Sequence, residues 1–334
     1  MADSKLLLGS QGYDCLKCGK SCGGWRILVE PKVVDFLQDH PLSQRARERG
    51  YQPLRLHSDG WAHLSYDQDG RCLYLTEERL CGIQSESGFE HKPRACQQFP
   101  FFLVETPDGF QTGLSFCCTA VQAGHGRPLE EQRGELESLV ASGAAYPQVG
   151  FGQIVFGGGD SRDWAAYRSW EGDLLNQLQA AESVSDLQKA LGVSSGNQVF
   201  ASLISHLEAV DAKSREWVRE RCLAGESYLS PRFQTGVSPR RETLDDSAFG
   251  GLQRYFVQLV ERKFLLGLDA SVATRLAMMA EVPSLLACYG RVLQTALQCS
   301  GEVAFWCCVE LLEGEIFAHQ TENLLFAELE ELLN

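Results

Sequence analysis

Tyr13-Asp14-Cys15-Leu16-Lys17-Cys18-Gly19-Lys20-Ser21-Cys22-Gly23-Gly24-Trp25 is the stretch on which the fold of this chain turns. Two thiols separated by two residues can close on one ion, and Gly19 permits the tight turn that such a knuckle requires. Cys22 follows after three more residues, and Lys17 and Lys20 supply positive charge against that of several thiolates. Further cysteines continue the series: Cys72 in Gly70-Arg71-Cys72-Leu73-Tyr74-Leu75, Cys81 in Arg79-Leu80-Cys81-Gly82-Ile83, Cys96 in Lys92-Pro93-Arg94-Ala95-Cys96-Gln97-Gln98-Phe99-Pro100, and the adjacent pair Cys117-Cys118. Such cysteines are metal ligands, reactive thiols or small buried residues; the knuckle spacing and the turn residues beside most of them favour metal. The first part of the chain is therefore expected to be a small, irregular α+β domain with short elements, held by metal.

The composition narrows the classes that remain. Among 334 residues, 44% are hydrophobic and 22% charged, which excludes a fully disordered chain. No apolar run approaches the ~18–20 residues of a membrane helix. Met1 to Ser10 has only Leu6 to Leu8 as an apolar centre, too short for a secretory signal. The expectation is a cytoplasmic protein with reduced thiols, not a disulfide framework. A net charge of −14 disfavours DNA and RNA as partners.

Charge and cysteine divide the chain at the same place. Residues 1–127 hold 14 Lys and Arg against 15 Asp and Glu, whereas 128–334 hold 16 against 29. Eight of the 13 cysteines lie between Cys15 and Cys118, and five are scattered from Cys222 onward. Gly124-His125-Gly126-Arg127-Pro128 punctuates the change. Two domains are expected: 1–127, cysteine-rich and metal or Fe–S binding, and 128–334, mainly α-helical.

Local pattern places the elements. Glu30-Pro31 opens a helix expected to run to Arg49, with proline in its first turn. Phe99–Glu105 and Phe110–Phe116 read as strands joined by Thr106-Pro107-Asp108-Gly109. Such a hairpin brings its outer ends together, so Cys96 and Cys117-Cys118 are expected near one site. Ser161-Arg162-Asp163 caps a helix carrying Trp164, Tyr167, Leu174, Leu175 and Leu178. Helices are expected over 197–222, 249–268, 271–289 and 292–333, with a loop over 225–246. Ile154-Val155-Phe156-Gly157-Gly158-Gly159-Asp160 lacks the spacing of a nucleotide-binding loop and reads as a flexible turn. Cys222, Cys288, Cys299, Cys307 and Cys308 lie in apolar helical sequence and read as small core residues. His57 and His63 have no ligand partner at a convincing spacing and read as structural.

The first ~125 residues resemble the YkgJ-type cysteine-cluster family of zinc- or iron-chelating domains. Cys15, Cys18 and Cys22 match its opening knuckle, Trp25 its tryptophan, and Cys72 and Cys81 its two middle elements. Lys92-Pro93, Cys96, Phe99 and Pro100 match its Arg-Pro-x-x-Cys-x-x-Phe-Pro element. Within that family, Leu80-Cys81-Gly82-Ile83-Gln84-Ser85-Glu86-Ser87-Gly88-Phe89-Glu90 and Leu114-Ser115-Phe116-Cys117-Cys118-Thr119-Ala120-Val121 are similar to segments of the flagellin lysine-N-methylase branch. The second segment selects Cys118 over Cys117. Ser21 stands where the family has a cysteine, Thr119 where it has proline, and Phe101 where the methylase branch has arginine. Cys117, His91 or His125 is a candidate to replace the ligand missing at position 21.

The resemblance implies Cys15, Cys18, Cys22, Cys72, Cys81, Cys96 and Cys118 as metal ligands, with zinc or a [4Fe–4S] cluster as the bound group. Spacing leaves the two open, since both accept four thiolates; three close cysteines with a distant fourth lean toward the cluster. The methylase branch further implies S-adenosylmethionine as methyl donor and a lysine-bearing protein, such as flagellin, as substrate. The expected function is thus a cysteine-ligated, iron–sulfur protein resembling protein lysine N-methylases. The alternative is a non-catalytic zinc- or iron-binding module with a helical interaction domain.

Overall fold

The computed structural model describes residues 5–23, 27–142, 151–193, 197–207, 242–267, 269–317 and 324–333. The chain opens with β1 (Leu6–Leu7), and past the knuckle come β2 (Leu28–Val29), α1 (Pro31–Gln38), α2 (Pro41–Glu48), β3 (Leu54–Leu56) and β4 (Ala62–Leu64). Two short helices, α3 (Gly82–Ser87) and α4 (Arg94–Gln98), precede the hairpin strands β5 (Phe101–Thr106) and β6 (Gly109–Leu114); α5 (Thr119–Gln122) and α6 (Arg133–Ala141) follow. The helix expected over 30–49 is two helices. Pro41 cannot donate a backbone hydrogen bond, so the first helix stops and His40 starts the second, its Nδ1 accepting from Leu42 N at 3.2 Å.

The expected hairpin forms, with Leu103 opposite Thr112 and Val104 opposite Gln111. β1 adds to it in parallel, Leu6 opposite Phe110, giving the sheet order β1-β6-β5. A second three-stranded sheet has the order β2-β4-β3.

Beyond residue 150 a small hairpin comes first: β7 (Ile154–Gly157) and β8 (Asp160–Arg162). The glycine-rich segment read as a flexible turn is thus its tip. Gly157, Gly158 and Gly159 all take positive φ, which reverses the chain tightly enough to pair its flanks. Helices then dominate: α7 (Trp164–Ala180), α8 (Val184–Ala190), α9 (197–207), α10 (Phe249–Glu261), α11 (Val272–Leu297), α12 (Gly301–Leu312) and α13 (Leu324–Leu333). Asp163 caps α7 as its sequence predicts, accepting from Ala166 N at 2.8 Å. α10 ends earlier than expected, where Lys263 takes a φ of 66°. α11 runs through Gly290 to Leu297, and Ser300 caps a separate α12. A π-turn, Glu313–Phe317, follows it. Most of the expected 197–222 helix and of the 225–246 loop, together with Cys222, lies outside the described residues. Among the described residues, no helix is long and apolar enough to cross a membrane.

Three apolar clusters hold these elements. The largest joins Val104, Leu114, Phe116 and Val121 to the buried faces of α7 to α13, so the hairpin and the helices share one core. The second gathers Val29, Val33, Val34, Leu37, Leu64, Tyr74 and Ile83, and Cys72, Cys81 and Cys96 pack against its edge. Val33, Val34 and Leu37 share one face of α1, each contributing roughly 1.5–3 kcal/mol by burial. The third, with Leu6, Leu103 and Leu136, seats α6 on the first sheet.

Across the large core runs a buried polar network centred on Glu313. Its carboxylate pairs with Arg262 through both guanidinium nitrogens, and accepts from Tyr255 Oη at 3.0 Å, Ser115 Oγ at 3.2 Å and Phe116 N at 3.2 Å. Both ionised side chains are out of water. Removing one partner of such a pair strands the other charge, at a cost of about 3–5 kcal/mol. Glu313→Ala is therefore expected to destabilise the protein by that amount, read as a shift of the urea midpoint. A loss below about 1 kcal/mol would show that water or another group replaces the pair.

Candidate metal centre

All described cysteines are free thiols. The backbone gathers seven of them into two groups. Cys22 O accepts from Cys72 N at 2.8 Å, and Gly23 bridges Arg71, which ties the end of the knuckle to the 70–75 segment. Leu75 in turn bridges Cys81, and α4, carrying Cys96, packs on β2. Cys22, Cys72, Cys81 and Cys96 thereby share one neighbourhood.

Cys15 and Cys18, still near enough to raise Cys22 by their charge, are tied to a second segment. Tyr13 N donates to Arg127 O at 2.9 Å, Asp14 N to His125 O at 3.0 Å, and Gln11 Nε2 to Val121 O. The chain ahead of the knuckle is thus stitched to the segment behind α5, whose first residue follows Cys118. Gly126 makes this approach possible: its φ is +121°, and a Cβ there would lie 1.9 Å from Asp14 N. Cys15, Cys18 and Cys118 form the second group. Cys96 and Cys118, at the two ends of the hairpin, therefore serve different groups rather than one site.

Charge follows this grouping only in part, because Cys22 is raised by Cys81 of its own group and also by Cys15 and Cys18. Burial, then the charge of Cys81, pushes the Cys22 thiol up to about 11, although the turn that carries it is exposed. Burial pushes Cys96 up to about 12 and Cys72 further still; a hydrogen bond from the Tyr74 backbone opposes the rise at Cys72 and the Lys92 ammonium opposes it at Cys96. In the second group burial raises Cys118, against backbone hydrogen bonds from Val121 and Ala120, and Cys18 and Cys15 add to the rise. Lys17, at a φ of 55°, donates its N–H to Cys15 Sγ at 3.3 Å, the turn that a two-residue gap between metal-binding thiols uses. The Tyr13 side chain lies beside these thiols. Burial, then the charges of Cys118 and Cys15, raises its phenol far above the ordinary tyrosine range.

Among the described residues, no three His, Cys, Asp or Glu side chains already stand around one point closely enough to hold an ion. The donor set nevertheless suits a soft ion. Seven unbridged thiols are collected in two places, several with N–H donors directed at sulfur. Ser21 Oγ and Thr119 Oγ1, each next to a cysteine of one group, are buried without a partner. Unpaired buried hydroxyls are uncommon and costly, about 1–3 kcal/mol each. They sit at two of the positions where the chain departs from the expected cysteine-family pattern.

The remaining expectations divide. Cys117 is buried away from both groups, its thiol 3.9 Å from Glu310 O. His91 packs on Phe36, with ring centroids 4.4 Å apart. His57 and His63 bond to each other at 2.7 Å. Cys288 and Cys308 are buried, while Cys299 and Cys307 are half-buried. Lys20 pairs with Glu310 of α12 rather than standing over the thiols alone. Arg94 N bonds Glu30 Oε1 at 2.9 Å, and Trp25 lies outside the described residues. Sequence reading missed Tyr13, Lys92 and Glu310 as neighbours of the thiols. Only the adjacency of Tyr13 to Cys15 could have signalled one of them.

Residues 14–122 match the CxxCxxCC family, described as "Putative zinc- or iron-chelating domain". This agrees with the resemblance read from the cysteines. No curated protein and no solved structure matches the chain.

Glu310 offers a test of how the helices touch this region. Burial raises its carboxyl above the ordinary 4.5, partly offset by Lys20 and by Gln122 Nε2 at 2.6 Å. The folded state therefore binds the proton more tightly than the unfolded chain. That contribution is full below about pH 4.5 and is lost as pH rises through the raised value. Glu310→Gln should flatten the stability profile over that window, measured as urea midpoints at successive pH; an unchanged slope would refute the assignment.

Proposed function

We propose that this chain is a cysteine-ligated metal protein whose Cys15, Cys18, Cys22, Cys72, Cys81, Cys96 and Cys118 hold zinc or iron. The observation that carries this reading is the collection of seven free thiols into two groups by backbone pairings that span the first 127 residues. The family match over 14–122 supports zinc or iron as the ion. Thiolates suit both, and each thiol must lose its proton on binding. Cys22 is joined to Cys72 through its carbonyl yet still feels the charge of Cys15 and Cys18, so the three close cysteines leave zinc and an iron–sulfur cluster open. A [4Fe–4S] cluster remains the reading drawn from the methylase branch.

The finer reading is methyl transfer from S-adenosylmethionine to a lysine of a protein such as flagellin. It is supported by the similarity of segments 80–90 and 114–121 to that branch, and by the acidic helical part, which would attract a lysine-rich substrate. The attacking amine would have to be neutral, which desolvation or a nearby base achieves. The geometry itself favours the coarser function, chelation by a module seated on a helical body.

Metal and acid-labile sulfide on anaerobically purified protein decide the matter. Iron with matching sulfide supports the cluster, zinc without sulfide a thiolate site, and metal-free protein overturns the proposal. Cys18→Ala and Cys96→Ala are each expected to lose bound metal and to melt about 5–10 °C lower, the shift for ~2–3 kcal/mol of linked binding energy. Full metal and unchanged melting in both would refute the ligand assignment. With loaded protein, transfer of labelled methyl from S-adenosylmethionine to flagellin lysines tests the finer reading.

A further inference from the structure

We propose that the cleft between β7, α7, the end of α8 and the start of α11 binds a small organic ammonium ion, its apolar part inside and its charge at Asp173. Metal binding plays no part in it. The cleft has a volume of about 250 Å³. Drug-sized ligands fill ~300–1,000 Å³, so this cleft suits a molecule of roughly ten non-hydrogen atoms. Its shape follows from the chain. Trp170, Asp173, Leu174 and Gln177 recur at helical spacing and line one side from a single face of α7. Gly157 lets the tip of the β7 hairpin lie against α11, where a Cβ would stand 3.0 Å from that of Ala273. Gly192, at a φ of 66°, turns the chain out of α8 and bounds the remaining side.

The interior is apolar and aromatic. Leu174 and Leu191 are buried members of the large core, and Phe156 meets Trp170 edge to face, with ring centroids 4.9 Å apart and planes at 82°. Asp173 and Gln177 are exposed and stand at the rim. Asp173 makes no ion pair among the described residues. The cations around it are engaged. Arg162, whose guanidinium lies 3.9 Å from the Phe156 centroid, is held by the Asp160 carboxylate at 3.0 Å, and Lys189 by Asp186 at 2.8 Å. The start of α11 would by itself favour an anion. The Glu330 carboxylate already serves it, accepting from Ser271 N at 2.7 Å, Ser271 Oγ at 2.9 Å and Thr274 Oγ1 at 2.6 Å. The uncompensated charge at the cleft is therefore the Asp173 carboxylate, one helical turn from the Trp170 indole. An ammonium ion is attracted by both groups, and its apolar part displaces water from leucine and aromatic surface. A ligand ending in a carboxylate would be repelled.

Calorimetric titration of the full chain with phenethylammonium tests the site. Saturable binding is expected, tighter than that of the uncharged 2-phenylethanol and of 3-phenylpropionate, whose charge is reversed. Asp173→Asn, at an exposed position, should weaken phenethylammonium about fivefold, the size of an ion pair open to water, and leave 2-phenylethanol unchanged. Ala190→Phe fills the cleft and should abolish binding of both. Should that variant melt well below the wild type, Gln177→Trp fills the cleft from its exposed rim and serves in its place. No saturable heat with phenethylammonium overturns the proposal. Equal affinity for the amine and the alcohol, or an Asp173→Asn protein that keeps the preference for the amine, overturns it as well, because the cleft would then be apolar only. Undiminished binding to a folded, filled variant would put the amine elsewhere and refute the site.

Discussion

The carboxylate of Glu313 is the constraint on which the arrangement of the two parts depends. It lies in the turn after α12, out of water, and holds Arg262 from the segment after α10 together with Ser115 and Phe116 from the end of β6. A lone buried carboxylate would be prohibitively costly, and a lone buried guanidinium likewise. Each is tolerable only where the other sits, so the hairpin exit can dock on the helices in one register. Gln258 reinforces that register by accepting from Leu114 N at 3.0 Å. Two residues beyond Phe116 the chain reaches Cys118. The position of one thiol of the second group is thus set by an ion pair of the helical body.

The same body reaches the knuckle directly. Lys20 pairs with Glu310, and Gln122 links Glu310 to the Phe116 carbonyl at 2.7 Å. These contacts lie on the strip of chain between the two cysteine groups. The first group is fastened differently, against the cluster of Val29, Leu37, Tyr74 and Ile83. One set of thiols therefore leans on a small apolar cluster of its own, and the other on the interface with the helices. The uneven charge of the chain fits this layout, since the acidic part meets the cysteine part through a lysine of the knuckle.

What could be read from sequence was what depends on local pattern. The β5–β6 hairpin followed from alternating residues around Pro107-Asp108-Gly109, and the α7 start from Asp163. The seven cysteines were legible as a set because thiols beside turns have few other uses. Their partition was not legible. It depends on long-range backbone pairings, Cys22 with Cys72 and Tyr13 with Arg127, which join residues some 50 and 114 positions apart. Spacing placed Cys22 with Cys15 and Cys18; the pairing with Cys72 adds it to the other cysteines, while the charge of Cys15 and Cys18 still reaches it. Pro41 and the three glycines at 157–159 were visible in the sequence, but their effects lie in backbone geometry: one splits a helix and the others fold a hairpin tip. Glu313 carried no sequence signal, because a glutamate near a helix end is ordinarily solvated.

The burial of the thiols bears on why the ion would matter to the fold. Cys72 and Cys96 are enclosed by protein, with their pKa values raised mainly by burial, so without metal they stay neutral and pack as small apolar groups at the edge of the second cluster. A cation changes the sign of that preference: beside it the thiolate becomes the stable form, and the N–H groups directed at sulfur gain strength as charge-assisted donors. The Lys92 ammonium, which already favours the ionised form of Cys22 and Cys96, acts in the same direction. The first group can therefore persist as an apolar cluster and tighten on metal. In the second group Cys118 is buried in the large core while Cys15 is exposed, as Cys22 is in the first. Because Cys118 shares its segment with Ser115 and Phe116, which bond Glu313, a thiolate there would bear on the contact between hairpin and helices.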